Sequence, residues 1–226
     1  VTARVAVVVP VYRNADTLPL LSERLSAALD GRDWRLRLVI DASPDDSAAV
    51  AGELAAGNPR IAVTELPVNG GQHAAIAEGL AAEPSAEVWV CLDADLQDPP
   101  EAVPLLVDRL ALGDVGAVFA GRRGAYESLS RRLTGTVHRR LAARLTGLPP
   151  DAGAFFAMDA AVRAAVLTAV TDEGAPSVVL GVARAGVPVA SLPVVRDQRP
   201  TGTSAWSGRA RLSQSARSLY WAVRRH

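Results

Sequence analysis

Lysine is absent: all 24 basic side chains among the 226 residues are arginines. There is one cysteine, Cys91, so no internal disulfide can form, and a disulfide-stapled scaffold is excluded. Inside an apolar run, Cys91 reads as a small core residue. His73, His138 and His226 are scattered and lack metal-ligand spacing; His73 reads as a capping or solvent-exposed side chain. Aromatics make up only 4%. No apolar run approaches the ~18 residues needed to cross a bilayer, and the N-terminal run, Val5 to Val11, is far shorter and carries Pro10. There is no Gly-x-Gly-x-x-Gly and no Gly-Lys-Ser/Thr phosphate loop, which counts against dehydrogenases and P-loop enzymes. Net charge is also absent, since 24 acids balance the 24 arginines. That excludes a highly charged disordered chain and a polybasic nucleic-acid coat. With no targeting segment evident, the expectation is a cytoplasmic protein with no nucleic-acid partner, which could still sit on the inner face of a membrane through the arginines and aromatics of segment 210–225 or pack that segment on its own domain.

Hydrophobic residues make up 49% and charged residues 21%, which suits one globular domain, 1–226, with a substantial core. The charge is segregated. Residues 1–118 hold 8 arginines and 18 acids, whereas residues 119–226 hold 16 and 6. This predicts an acidic half and a basic half with different partners.

The first half alternates valine-rich runs with helical periodicity. Arg4–Val11, Leu36–Asp41, Ile61–Leu66 and Glu87–Leu92 read as strands. Ala15–Leu29, capped by Asn14 or Asp16, Asp46–Ala56, Gly71–Ala82 and a helix from Pro99-Pro100 to Leu112 read as helices. In the second half, Val115–Ala120, Ala154–Met158 and Val187–Val195 read as strands. Ser128–Thr146, Asp159–Thr171 and the basic segment Ala210–Arg225 read as helices. Arg196–Gly208 and Asp172-Glu173 read as solvated loops. Near-continuous apolar strands separated by helices predict a mostly parallel sheet covered on both faces, a three-layer α/β/α sandwich. Ligands of such sheets bind beyond the carboxyl ends of the strands. The loops 12–14, 41–46, 67–72 and 93–99 should therefore share one crevice.

The sharpest motif is Asp93-Ala94-Asp95-Leu96-Gln97-Asp98-Pro99-Pro100-Glu101, placed after an apolar strand and before a proline-started helix. Alternate residues of extended backbone share a face, so Asp93, Asp95 and the Gln97 side-chain oxygen can converge on one hard divalent ion, Mg²⁺ or Mn²⁺.

This motif resembles that of the family 2 glycosyltransferases of the GT-A (Rossmann-like) fold, and within them the polyprenyl-phosphate glycosyltransferases, including dolichol-phosphate mannose synthases. The resemblance extends to Val8-Val9-Pro10-Val11-Tyr12 with Asn14, and to Asp41-Ala42-Ser43-Pro44-Asp45-Asp46-Ser47. It also covers Asn69-Gly70-Gly71-Gln72 with Ala75, Gly121-Arg122-Arg123, and Arg199 with Gly202 and Ser204. It implies a UDP- or GDP-sugar donor and inverting transfer to a polyprenyl phosphate. It implies that Asp93, Asp95 and Gln97 hold the metal, that Pro10, Tyr12 and Asp41 line the nucleoside pocket, and that Gln72 lies at the donor; a place for His73 at the border of the diphosphate stays open beside its reading as a cap or solvated side chain. It implies that Arg123, Arg131 and Arg199, with Asp95, form the reacting centre around the phosphates. The half 1–118 would bind donor and metal, and the half 119–226 the acceptor.

The sequence departs from the family pattern at Ile40, Ala154, Phe156 and Ala205. The last two remove cations expected near an acceptor phosphate. A second reading therefore keeps the donor chemistry but takes a soluble acceptor hydroxyl, with Asp151 or Asp159 as its base. A third is a nucleotide-binding protein without catalysis.

Overall fold

The computed structural model describes residues 3–123 and 146–196 and Trp221, with Arg122 and Arg123 described by backbone alone. Strand β1 is Val5–Val11, followed by α1, Leu18–Ala28. Next come β2, Trp34–Asp41, and α2, Ser47–Gly57; then β3, Ile61–Leu66, and α3, Gln72–Ala81. Strand β4, Val88–Cys91, leads through a 3₁₀ turn at Pro100–Ala102 into α4, Val103–Leu110. The rest comprises β5, Ala117–Arg123; β6, Phe156–Met158; α5, Ala160–Thr171; α6, Val178–Arg184; and β7, Val189–Val195.

The strands form one sheet in the order β3-β2-β1-β4-β6-β5-β7. Only β6 runs against its neighbours, β4 and β5; every other pair is parallel. The sheet separates two cores. On one face Val5, Val7, Val9 and Val11 of β1 pack with Leu18, Leu21 and Leu25 of α1 and with α4. On the other, Ala6 and Val8 pack with Ile76 and Leu80 of α3 and Val162 and Val166 of α5. The period-2 alternation of β1 thus feeds both layers, each buried valine or leucine contributing roughly 1.5–3 kcal/mol. A Cβ at Gly79 would overlap Val8 and Val39, so glycine there lets α3 lie close on the sheet.

The expected three-layer, mostly parallel architecture is present, with differences at its boundaries. Helix α1 begins at Leu18 with no side-chain cap. Asn14 does not cap it; its side-chain oxygen instead accepts the N–H of Tyr12 at 3.3 Å. Strand β4 ends at Cys91, so the acidic motif lies in a turn and not on an extended strand. Strand β5 runs on to Arg123 because β7 pairs with it along that whole length. Helix α6 was hidden from sequence reading by its shortness, Gly181 and the preceding Pro176; Ser177 caps it by accepting the N–H of Leu180. The expected helices 128–146 and 210–225 lie outside the described residues apart from Thr146 and Trp221. Among the described residues no helix is long and apolar enough to cross a membrane.

Candidate active site

The sheet reverses its order of addition at β1, where β2 lies on one side and β4 on the other. Such a switch point opens a crevice beyond the carboxyl ends of the strands. Pro10 marks it. Val8 accepts the N–H of Leu92 at 3.1 Å, and backbone groups two residues apart on a strand face the same side. The missing N–H of Pro10 therefore faces the side where β4 has already ended, a place where no ladder bond is lost.

The four loops predicted to meet there do meet, through hydrogen bonds between them. Arg13 N–H donates to Ser43 Oγ at 2.7 Å, Asn14 N–H to Ser47 Oγ at 3.1 Å and Ala15 N–H to Asp45 at 3.3 Å. Asp45 also accepts both hydroxyls, Ser43 and Ser47, at 2.6 Å. Burial opposes ionisation of Asp45, but these bonds outweigh it and hold its carboxyl below the usual range. Asp41, 3% exposed, accepts the N–H groups of Gly70 and Gly71 at 2.7 and 2.8 Å, and its carbonyl accepts the Asn69 side chain at 3.1 Å. Among the described residues, the positive-φ non-glycines are Arg13, Ala42 and Leu96, one in each of the loops after β1, β2 and β4. Strained backbone of this kind, about 1–3 kcal/mol per residue, clusters at functional sites.

The fourth loop carries the acidic motif. Burial alternates along it: Leu92, Ala94, Leu96 and Asp98 are buried, whereas Asp93, Asp95 and Gln97 are half-buried. The three expected ligands are thus the partly exposed members of the turn. Three contacts brace the loop. Thr17 donates its hydroxyl to the Ala94 carbonyl at 2.7 Å, and the Gln72 amide donates to Asp93 at 2.5 Å. Arg196 donates through Nε and Nη2 to both oxygens of Asp98, at 2.6 and 2.9 Å, and Asp98 is 2% exposed. Asp95 itself accepts the N–H of Gln97 at 3.1 Å. No group of three or more His, Cys, Asp or Glu side chains suited to a metal occurs among the described residues. Two carboxylates and an amide oxygen are instead a hard but incomplete donor set, the kind Mg²⁺ completes with substrate phosphate and water. The residues fit such an ion.

Tyr12 lies at the crevice, 36% exposed, with the Arg13 guanidinium 5.5 Å from its ring centre. Arg123 ends β5, and Arg131 and Arg199 lie outside the described residues. Asp151 packs against Gly121 near the carboxyl end of β5 and accepts the Ser191 hydroxyl at 3.1 Å. Asp159 does not belong to the site. It caps α5 by accepting the Val162 N–H at 2.8 Å, and the reversed direction of β6 delivers it to the opposite edge of the sheet. His73, in the first turn of α3, is neither a cap nor freely solvated: burial pushes its imidazole down to about 4, and its buried Nδ1 has no hydrogen-bond partner among the described residues. Cys91 is buried as expected, and burial raises its thiol pKa. Glu173 is not a solvated loop residue; its side chain is 14% exposed and lies 3.5 Å from Arg184. Thr17, Asp98 and Arg196 were not singled out from the sequence. The signal available for Asp98 was its place within the acidic motif; none marked Arg196.

The family model for glycosyl transferase family 2 matches residues 6–162. An undecaprenyl-phosphate 4-deoxy-4-formamido-L-arabinose transferase of Pectobacterium carotovorum subsp. carotovorum is 42% identical over 149 residues, 63% of this chain and 44% of that protein. The Klebsiella pneumoniae protein of the same name is 38% identical over 149 residues, 64% of this chain and 44% of its own length. The match thus spans less than half the length of these relatives. Among solved structures, glucosyl-3-phosphoglycerate synthase from Mycobacterium tuberculosis, with Mn²⁺, UDP and glucosyl-3-phosphoglycerate, superposes with a TM-score of 0.67 at 22% identity, over 99% of this chain and 80% of that one. A mannosyltransferase from Pyrobaculum calidifontis, with GDP-Man and Mn²⁺, gives 0.67 at 21%, over 100% and 64%. These likenesses show a shared fold. The family match begins in β1, takes in all four crevice loops and the acidic motif, and ends in α5: the chain belongs to glycosyl transferase family 2.

Proposed function

We propose that this protein transfers a sugar, with inversion, from a UDP- or GDP-sugar to a polyprenyl phosphate. The observation that carries this is the half-buried Asp93/Asp95 pair in the loop after β4 at a switch-point crevice. In support, the matched relatives named above are undecaprenyl-phosphate transferases. Asp93, Asp95 and the Gln97 oxygen hold a divalent ion, Mg²⁺ or Mn²⁺. What such an ion supplies is Lewis-acid stabilisation of the charge that develops on the leaving nucleoside diphosphate. Gln72 orients Asp93. Pro10 and Tyr12 line the nucleoside pocket, and Asp41 shapes it by holding Gly70 and Gly71. Arg123, Arg131 and Arg199 bind phosphate oxygens, for which the planar guanidinium is suited. The acceptor is already ionised, because a phosphate monoester loses its second proton near pH 6. Its oxygen attacks the anomeric carbon from the face opposite the leaving group, and no side-chain base is required.

Transfer assays with UDP- and GDP-sugars, with and without Mn²⁺, against undecaprenyl phosphate test this reading. The expected result is metal-dependent transfer to the lipid phosphate. Metal-independent transfer would remove the role given to Asp93 and Asp95. A second reading rests on Asp151, which stands at the carboxyl end of β5 beside Ser191: a soluble hydroxyl acceptor with Asp151 as base. It predicts transfer to soluble acceptors that Asp151→Asn abolishes. We also propose peripheral contact of the arginine-rich segment 210–226 with the inner face of a membrane. Deleting it should abolish binding to anionic liposomes; unchanged binding would refute that contact.

A further inference from the structure

Arg196 and Asp98 are separated by 98 positions, and neither is among the ligands or phosphate contacts proposed above. Asp98 is 2% exposed, so its charge is out of water. The Arg196 side chain, 20% exposed, meets it with two parallel N–H···O bonds at 2.6 and 2.9 Å. Asp98 follows Gln97 directly, and the turn it ends contains Leu96 at φ 58. A left-handed residue of this type persists only where its surroundings over-determine it. The bond that the Gln97 N–H donates to the Asp95 carboxylate stays within the turn. The Arg196 fork ties this stretch to a distant strand, at the point where β7 ends. Burial opposes the charge on Arg196, but its bonds to Asp98 and the nearby charges of Asp98, Asp93 and Asp95 outweigh it.

We infer that Arg196 is a positioning residue for the divalent-ion site: by clamping buried Asp98 it holds Asp95 and Gln97 in their ligating arrangement before any ion binds. The inference rests on the metal reading given above. Partners one shell out from metal ligands typically govern affinity by about 10- to 100-fold. A bidentate arginine has the geometry for it, where a lysine supplies only a point charge.

The test uses the full chain. Arg196→Gln alone strands a buried carboxylate and is expected to destabilise the fold, so the informative variant is the double Asp98→Asn/Arg196→Gln. It replaces the ion pair by two neutral amides and leaves the net charge unchanged, so the long-range attraction for a cation is preserved. Mn²⁺ binding is read by electron paramagnetic resonance in the presence of UDP and, separately, of GDP. Amide exchange over residues 94–98 is read in the metal-free protein. The double variant should bind Mn²⁺ about tenfold more weakly and exchange faster over 94–98, with exchange elsewhere unchanged. Arg196→Lys should fall between it and the wild type. Mn²⁺ affinity within about twofold of wild type, together with unchanged exchange, would overturn the inference and leave the metal reading standing. Failure of the wild-type protein itself to bind Mn²⁺ would overturn the metal reading and this inference with it, whatever the exchange shows.

Discussion

At the amino edge of the sheet the buried Glu83, 3% exposed, receives Arg37 at 2.6 Å and faces Arg35 at 3.8 Å. Close by, Arg163 stacks on Trp89 at 4.8 Å and donates twice to the Leu80 carbonyl at the end of α3. At the carboxyl edge, Asp41 and Asp45 accept their bonds from backbone N–H groups and serine hydroxyls. Both edges are polar and densely bonded, and each holds a buried ion pair, since Arg196 meets Asp98 at the carboxyl edge; the difference is that Asp41 and Asp45 have neutral donors where Glu83 has arginines. A cationic partner cancels a carboxylate's charge; a neutral donor satisfies its lone pairs and leaves the charge in place. The amino edge is therefore built for stability. The carboxyl edge keeps a negative field, strained turns and an opening, the combination a cation-assisted site requires.

Four measurements test that contrast. The largest effect is expected at the carboxyl edge. Asp95→Asn should lower transfer by at least about a hundredfold through loss of a metal ligand, with the melting midpoint moving by only about 2 °C. A large fall in melting midpoint would mean that the two edges do not separate function from stability. Glu83→Ala should do the reverse. Removing one partner of a buried pair leaves Arg37 uncompensated and costs about 3–5 kcal/mol, measured by urea denaturation. Nucleotide affinity of the folded variant should match the wild type, and a loss there would break the contrast from the other side.

His73 provides the third. Its folded pKa, about 4, lies below the ordinary 6.5, so between those values the unfolded chain binds the proton that the folded one refuses. The stability contributed by neutral His73 is whole above about pH 6.5 and is lost progressively as pH falls toward 4, by at most about 3 kcal/mol. Denaturation at pH 7 and pH 5 should show this slope, and His73→Gln should flatten it. The smallest effect concerns Asp45. Its folded pKa is held below 3.8, so its contribution is whole above the unfolded value and is lost as pH drops through the folded one. Relative to the rest of the chain, amide exchange at residues 13–15 and 43–47 should quicken only in that acidic range. Asp45→Asn should show the quickening already at neutral pH.

Much of the fold is legible in the sequence because local rules apply. The valines of β1, the leucine spacing of α1 and the proline start after the acidic motif each place an element to within a few residues. The Asp-x-Asp motif was legible because residue type and spacing carry its chemistry. Local pattern does not carry an element's end or direction where distant neighbours set it. Asn14 looks like a helix cap, yet it serves the Tyr12 turn. Asp151 and Asp159 are equivalent acids in the sequence, and the antiparallel course of β6 sends Asp159 to the wrong edge.

Alternation of residue types along the chain was enough to establish a covered, mostly parallel sheet and an acidic motif at a strand end, because strand and helix periodicities are local. Which loops touch was decided by strand order. Thr17 reaches Ala94 across 77 positions and Arg196 reaches Asp98 across 98. Such contacts follow from β1 lying beside β4 and from the place of β7 at the far edge. They are properties of the assembled sheet, and no periodicity along the chain encodes them.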